Sequence, residues 1–182
     1  MRPRVLIAAA LLPLPGCGDP PPRQAGSAAA DALFREPFTR PMVDSSGARI
    51  GTVTGTPGEE GVIIAVSLKG LDAGDHGMHL HETGVCDRPD FATSGGHWNA
   101  SRRAHGHDNP NGPHDGDWGN LTAAADGTAS SDRLIPRWHA TIPASGLSLL
   151  IHARKDDEST DPDGNSGARI ACGVVLPVAE DG

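Results

Sequence analysis

The chain has 182 residues, with 24 Gly, 16 Pro, three Phe, three Trp and no Tyr, and it shows no long helical periodicity. That suits one turn-rich, all-β domain whose core must come from Val, Ile, Leu and Ala. A formal net charge of −8 excludes nucleic acid as a natural partner.

The N-terminus, "MRPRVLIAAALLPLPGCGDPPP", places Arg2 and Arg4 before an apolar run, Val5 to Leu14, that is far too short to span a bilayer. Residues 1–16 therefore read as an export signal. "LPGC", Leu14 to Cys17, resembles the lipobox of bacterial lipoprotein signals, in which the peptide is cut before a Cys that then carries lipid. Pro15 is unusual there, and an ordinary secretory signal with no special role for Cys17 is the alternative. In either case the protein is expected outside the cytoplasm, in the periplasm or cell envelope. Cleavage before Cys17 removes both arginines and takes the formal charge from −8 to −10. The Pro/Ala/Gly/Ser composition that follows predicts a flexible tether over 17–36, leaving 37–182 as the folded domain. Three Cys is an odd number for an exported protein. If Cys17 takes lipid, Cys86 and Cys172 remain as one pair for an oxidising compartment. Their bridge would close a loop of roughly 85 residues, worth about 4–5 kcal/mol in the chain-entropy account.

The folded part is expected to begin near Phe38. "RIGTVTGTPGEEGVIIAVSLKGL" gives two alternating runs joined by a hairpin turn. In the next strand, "DHGMHLHETG", alternation points His79 and His81 the same way and His76 the other, unless His76 lies in the preceding turn. Two imidazoles on one face suit a metal, although a lone H-x-H is common. Residues 82–120 hold few large aliphatics and much Gly, Asn, Asp, Pro and His. A loop so long is rare in a compact domain and needs something besides apolar burial to order it. Strands resume at "GNLTAAADGTASSDRLI", with a turn at Asp126-Gly127, then "GLSLLIHARK", a second polar loop, and a last strand "IACGVVLPV".

The long loop contains His97, His105, His107, His114 and Asp117. Three imidazoles and one carboxylate would make a closed tetrahedral zinc site. The bland alternative is a solvated, histidine-rich loop.

"HGMHLHETG", "GGHWN", "HGHDNPNGPHDGDWGN", "LLIHARKDD" and "GNSGARIACGVV" follow one another in the order and spacing of the copper-zinc superoxide dismutases, over about residues 37 to 178. The chain resembles the bacterial exported type of that family. The resemblance implies an eight-stranded Greek-key β-barrel or sandwich with long metal-binding and electrostatic loops. It implies copper and zinc as cofactors and superoxide as substrate, disproportionated to oxygen and hydrogen peroxide as an extracytoplasmic antioxidant defence. His79, His81, His97 and His152 match the copper ligands; His97, which bridges the two ions, His105, His114 and Asp117 match the zinc ligands. His107 is then a spare. By the same resemblance His76 steadies the copper ligands from behind, Asp156 links His79 to His105, Cys86 pairs with Cys172, and Arg169 holds the anionic substrate. His97 and Arg169 would take part in the reaction itself.

A domain of this fold that only stores or delivers metal is the rival reading. Relatives of that kind commonly lose a copper ligand or the arginine, and here all are present. The loop between His152 and Arg169 is short and carries Asp156, Asp157, Glu158, Asp161 and Asp163, an acidic rim expected to repel superoxide. Arg154 and Lys155 are candidates to offset it. His139 matches no motif, the N-x-S/T triplets at Asn99 and Asn120 are taken as incidental, and either a monomer or a homodimer fits, with membrane attachment through a lipidated Cys17.

Overall fold

The structure, a computed structural model, describes residues 31–137 and 141–178. The signal of 1–16, Cys17, most of the tether and His139 lie outside the described residues. Eight strands follow one another: β1 (Phe38–Asp44), β2 (Arg49–Pro57), β3 (Gly61–Leu68), β4 (Gly74–His81), β5 (Asp117–Ala123), β6 (Ala129–Pro136), β7 (Leu147–His152) and β8 (Arg169–Leu176). They form one antiparallel sheet in the order β5-β4-β7-β8-β1-β2-β3-β6. The end strands β5 and β6 approach each other, so the sheet is a nearly closed barrel that leaves little free strand edge. The return of β7 to lie beside β4 is the Greek-key crossover, and it brings the two histidine-bearing strands together.

The alternation in the sequence becomes burial with a period of two. Along β3, Val62, Ile64, Val66 and Leu68 are buried, while Ile63 and Ser67 face out. β7 differs, because all six of its residues are buried. Leu147, Leu149 and Ile151 enter the barrel core, and each contributes about 1.5–3 kcal/mol by leaving water. The opposite face, Ser148, Leu150 and His152, is roofed by loops, and Leu150 packs with Cys172 beneath Phe91 and Cys86. The outward-facing histidines of β4 and β7 therefore lie on the outside of the barrel, under the loops.

One local expectation holds and one changes. The turn at Asp126-Gly127 forms, with Gly127 at φ 78, and is closed by the Gly127 N–H donating to the Ala124 carbonyl and the Ala124 N–H donating to the Thr128 carbonyl, but no strand ladder continues beyond it. The strands it joins belong to opposite ends of the sheet, β5 pairing with β4 and β6 with β3. Packing also begins before Phe38: Leu33 and Phe34 are buried in the main core, and Arg137 holds this turn by donating to the Phe34 carbonyl and stacking on its ring. Among the described residues no helix is long and apolar enough to cross a membrane.

Candidate metal centre

On β4, His79 and His81 point outward while Met78 and Leu80 enter the core, and His152 ends the neighbouring β7. His97 is brought to them by backbone pairing of the long loop onto β4. Leu80 accepts from Trp98 N–H and donates to Gly116, Gly116 donates back to Trp98, and His81 faces His97 across an isolated bridge. The loop also has apolar anchors of its own. Phe91 is fully buried, and Trp98 is buried with its indole N–H donating to the Thr141 carbonyl. The predicted disulfide between Cys86 and Cys172 is present and ties the start of the loop to β8.

Four ring nitrogens in this cluster, His79 Nδ1, His81 Nε2, His97 Nε2 and His152 Nε2, are buried without a hydrogen-bond partner. They belong to four residues whose ligand atoms lie within 4.8 Å of one another, so one ion can reach all four. The opposite nitrogen of each ring is held in place. His81 Nδ1 donates to the Gly95 carbonyl at 3.0 Å and His152 Nδ1 to the Gly167 carbonyl at 3.1 Å. His79 Nε2 donates to Asp156 Oδ2 at 2.6 Å. A carbonyl or carboxylate on one side fixes the tautomer, so the lone pair on the other side is free for a metal. Burial keeps His79, His81 and His152 neutral: it lowers His79 to about 3 and His152 to about 4, and places His81 well below its ordinary value. A buried unpaired polar nitrogen is costly, and four in one place are explained by a cation such as copper, which favours imidazole nitrogen.

The second group adjoins the first through His97. Nδ1 of His97, His105 and His114 lie 2.8, 3.0 and 3.2 Å from a single oxygen, Asp117 Oδ1. Ligands about 2.0–2.1 Å from a tetrahedral zinc stand roughly 3.3–3.4 Å apart, so this set is gathered at nearly the right spacing. The His105 contact lacks hydrogen-bond direction, since that nitrogen has no partner by geometry, and this fits an arrangement made for an ion better than one made for a proton. Asp117 Oδ2 is pinned by the backbone N–H groups of Gly106 and His114, both at 2.9 Å. Burial opposes charge on Asp117, yet His105, His97 and these N–H groups hold it well below the usual carboxylate range. In the metal-free chain burial would lower His105, but Asp117 and Asp156, one on each side of the ring, outweigh it and push it up to about 10.

Asp156 stands between the groups. It takes His79 Nε2 on Oδ2, and His105 Nε2 lies 3.0 and 3.1 Å from its two oxygens. It is fully buried, so it is no part of an acidic rim. The rest of that rim is also engaged: Asp157 accepts from Ser159, Thr160 and Asn165, Glu158 from His107, and Asp161 from the His105 N–H. His76 lies within β4, its Nδ1 2.8 Å from the His152 carbonyl and its Nε2 2.9 Å from that of Asp72. Arg169 pairs with His152 across β7 and β8. Its guanidinium donates to the Phe91 carbonyl at 2.7 Å, Ser94 Oγ at 3.1 Å and the Gly95 carbonyl at 2.7 Å. The Gly95 carbonyl therefore serves both Arg169 and His81.

The structure thus gathers all seven expected ligand residues, with Asp156, His76 and Arg169 around them, and leaves His107 outside both groups. Reading by residue type missed Phe91, Ser94 and Gly95 as the seat of Arg169. It also missed Asn120, whose amide grips Asp156 from both sides, Oδ1 accepting its N–H and Nδ2 donating to its carbonyl. The N-x-T triplet concealed that role.

Comparison with known proteins gives a consistent picture. A family model described as copper/zinc superoxide dismutase (SODC) matches residues 49–175. A Cu-Zn superoxide dismutase from Caulobacter vibrioides is 41% identical over 134 residues, covering 69% of this chain and 77% of its own length. One from Deinococcus radiodurans is 36% identical over 167 residues, covering 84% and 91%. Among solved structures, a SOD-like protein from Bacillus subtilis superimposes with a TM-score of 0.70 at 35% identity, over 76% of this chain and 97% of that one. The Cu/Zn superoxide dismutase of Brucella abortus does so with a TM-score of 0.60 at 31% identity, over 77% and 99%.

Proposed function

Since the chain belongs to the copper/zinc superoxide dismutase family, we propose that His79, His81, His97 and His152 hold copper, that His97, His105, His114 and Asp117 hold zinc, and that Arg169 receives the superoxide anion. The single observation that carries this assignment is the set of four partnerless imidazole nitrogens adjoining a three-imidazole, one-carboxylate cluster, with one ring, His97, common to both. When bound, copper supplies a one-electron couple matched to superoxide, and zinc supplies a fixed charge that orders the loop. The reaction converts two superoxide anions and two protons into one oxygen and one hydrogen peroxide.

The chain's own part is to bind, orient and move protons. Arg169 is held rigidly by neutral acceptors, so its positive charge is available to an incoming anion and sits beside His152. His97 Nε2 is the proton carrier: it holds a proton in one half of the cycle and passes it to the reduced dioxygen species in the other, while Nδ1 stays with the zinc set. Asp156 holds His79 and His105 in the tautomers that point their Nδ1 atoms at the sites. Burial keeps His79, His81 and His152 unprotonated at neutral pH, so no proton competes for those nitrogens.

The test is metal analysis of the purified protein followed by a superoxide-consumption assay. One copper and one zinc per chain, with activity lost when copper alone is removed, is the expected outcome. A fully loaded chain that consumes no superoxide would favour a metal store instead. We further infer that the chain works outside the cytoplasm, as a Cys86–Cys172 disulfide and an export signal favour, and that Cys17 carries lipid. The mass of the mature N-terminus tests the last point.

A further inference from the structure

His107 is used by neither metal set. It is half exposed, and its ring donates from Nδ1 to Glu158 Oε2 at 2.8 Å. Glu158 is engaged on every side. Its other carboxylate oxygen accepts from Asn120 at 3.3 Å, its carbonyl accepts from the Asp108 N–H at 2.9 Å, and its own N–H donates to Asp156 Oδ1 at 2.7 Å. It does this from a left-handed backbone, φ 61, where glycine would be the easy residue. The room it needs comes from two glycines. A Cβ on Gly106 would stand 1.9 Å from the Glu158 carbonyl oxygen, and one on Gly119 would stand 2.7 Å from its Oε1. A charged residue held in a conformation that disfavours it, between two neighbours that leave it space, points to a role for its side chain.

We propose that Glu158 is a positioning residue for the zinc set. It locks the segment that carries Asp156 onto the loop that carries His105, and His107 completes the lock without being a ligand. With the lock in place, Asp156 stays against the His105 ring and the loop resists opening, so bound zinc escapes slowly. The inference rests on the zinc assignment made above, and it adds a determinant of zinc retention that lies outside the ligands and the carboxylate between them.

The experiment uses zinc-loaded, copper-free protein. Zinc release to a chromogenic chelator is timed, and the visible bands of cobalt(II) bound in place of zinc report the ligand geometry. Glu158→Gly removes the side chain while suiting the left-handed backbone. It is expected to speed release by about tenfold or more and to alter the cobalt bands. Glu158→Gln should stay within about threefold of wild type, because its amide can accept from Asn120 and donate to the other tautomer of His107. His107→Ala should fall between the two. Ile135→Val, which trims the core of β6, is the control for lost stability alone. Wild-type release with an unchanged cobalt spectrum in Glu158→Gly overturns the proposal, as does equal acceleration in Ile135→Val. A wild-type chain that takes up no zinc, or keeps its zinc after Asp117→Ala, overturns the zinc assignment itself and this inference with it.

Discussion

Replacing Asp156 with Asn asks which of the two metal sets depends more on the carboxylate between them. The replacement keeps size and shape but makes one oxygen an amide nitrogen. The orientation is decided by the surroundings: the Glu158 N–H donates to Oδ1 at 2.7 Å, so the remaining oxygen takes that position. The new NH2 group then falls where Oδ2 stood, 2.6 Å from His79 Nε2. Two donors cannot face each other at that distance. His79 must shift its proton to Nδ1, the nitrogen assigned to copper, or swing away. His105 keeps its contact with the Oδ1 position, 3.0 Å away. A hydrogen bond to a charged group contributes about 1.5–3 kcal/mol, which is roughly 10–100-fold in affinity. Asp156→Asn should therefore weaken copper by about 10–100-fold and zinc by clearly less. Separate chelator-competition titrations measure both affinities, with thermal unfolding as a check that the barrel persists. Unchanged copper affinity, or a loss confined to zinc, would refute the reasoning about orientation.

Other outcomes follow from the same geometry. His152→Ala should abolish superoxide consumption and weaken copper binding while the barrel still folds; full activity would refute its assignment as a ligand. Asp117→Ala should loosen zinc and expose residues 97–117 to proteolysis, and equal zinc affinity with equal protease resistance would count against it. Removing the disulfide by Cys86→Ala with Cys172→Ala opens a loop with a sequence separation of 86, and urea unfolding should show a loss of about 4–5 kcal/mol. The metal-free chain should be most stable near its histidines' ordinary value of 6.5. Below 6.5 the unfolded chain takes up protons that buried His79, His81 and His152 refuse, so their contribution is lost as pH falls toward about 4 and about 3. His105, raised to about 10, contributes fully below 6.5 and is lost as pH rises toward 10. Three rings against one make the acid side steeper, and stability that keeps rising from pH 6.5 down to pH 4 would contradict these directions.

Much of this was legible from residues alone, for physical reasons. Strands β3 and β4 show themselves because one face must be apolar and the other need not be. β7 shows itself as an apolar run because loops cover its outer face. The ligand set is legible because His, Cys and carboxylates supply most protein ligands for such ions, so residue type carries the signal. The seat of Arg169 is not legible, since it consists mostly of the Phe91 and Gly95 carbonyls, and every residue has a carbonyl. The acidic loop suggests a repulsive rim because charge is visible in a sequence and burial is not; Asp156 proves fully buried between two rings. The Asp126-Gly127 turn predicts a local reversal correctly, but a turn cannot say which strands then pair. Leu33 and Phe34 were hidden in a Pro/Ala-rich stretch too short to show a period.

Both proposed metal sites depend on two ions sharing the ring of His97. Crystals of the protein loaded with copper and zinc, measured with anomalous scattering at both absorption edges, test that sharing directly. A copper signal is expected at His97 Nε2 among His79, His81 and His152, and a zinc signal at His97 Nδ1 among His105, His114 and Asp117. With the copper kept as Cu(II), two occupied sites with His97 bound to one ion, or to none, would contradict it.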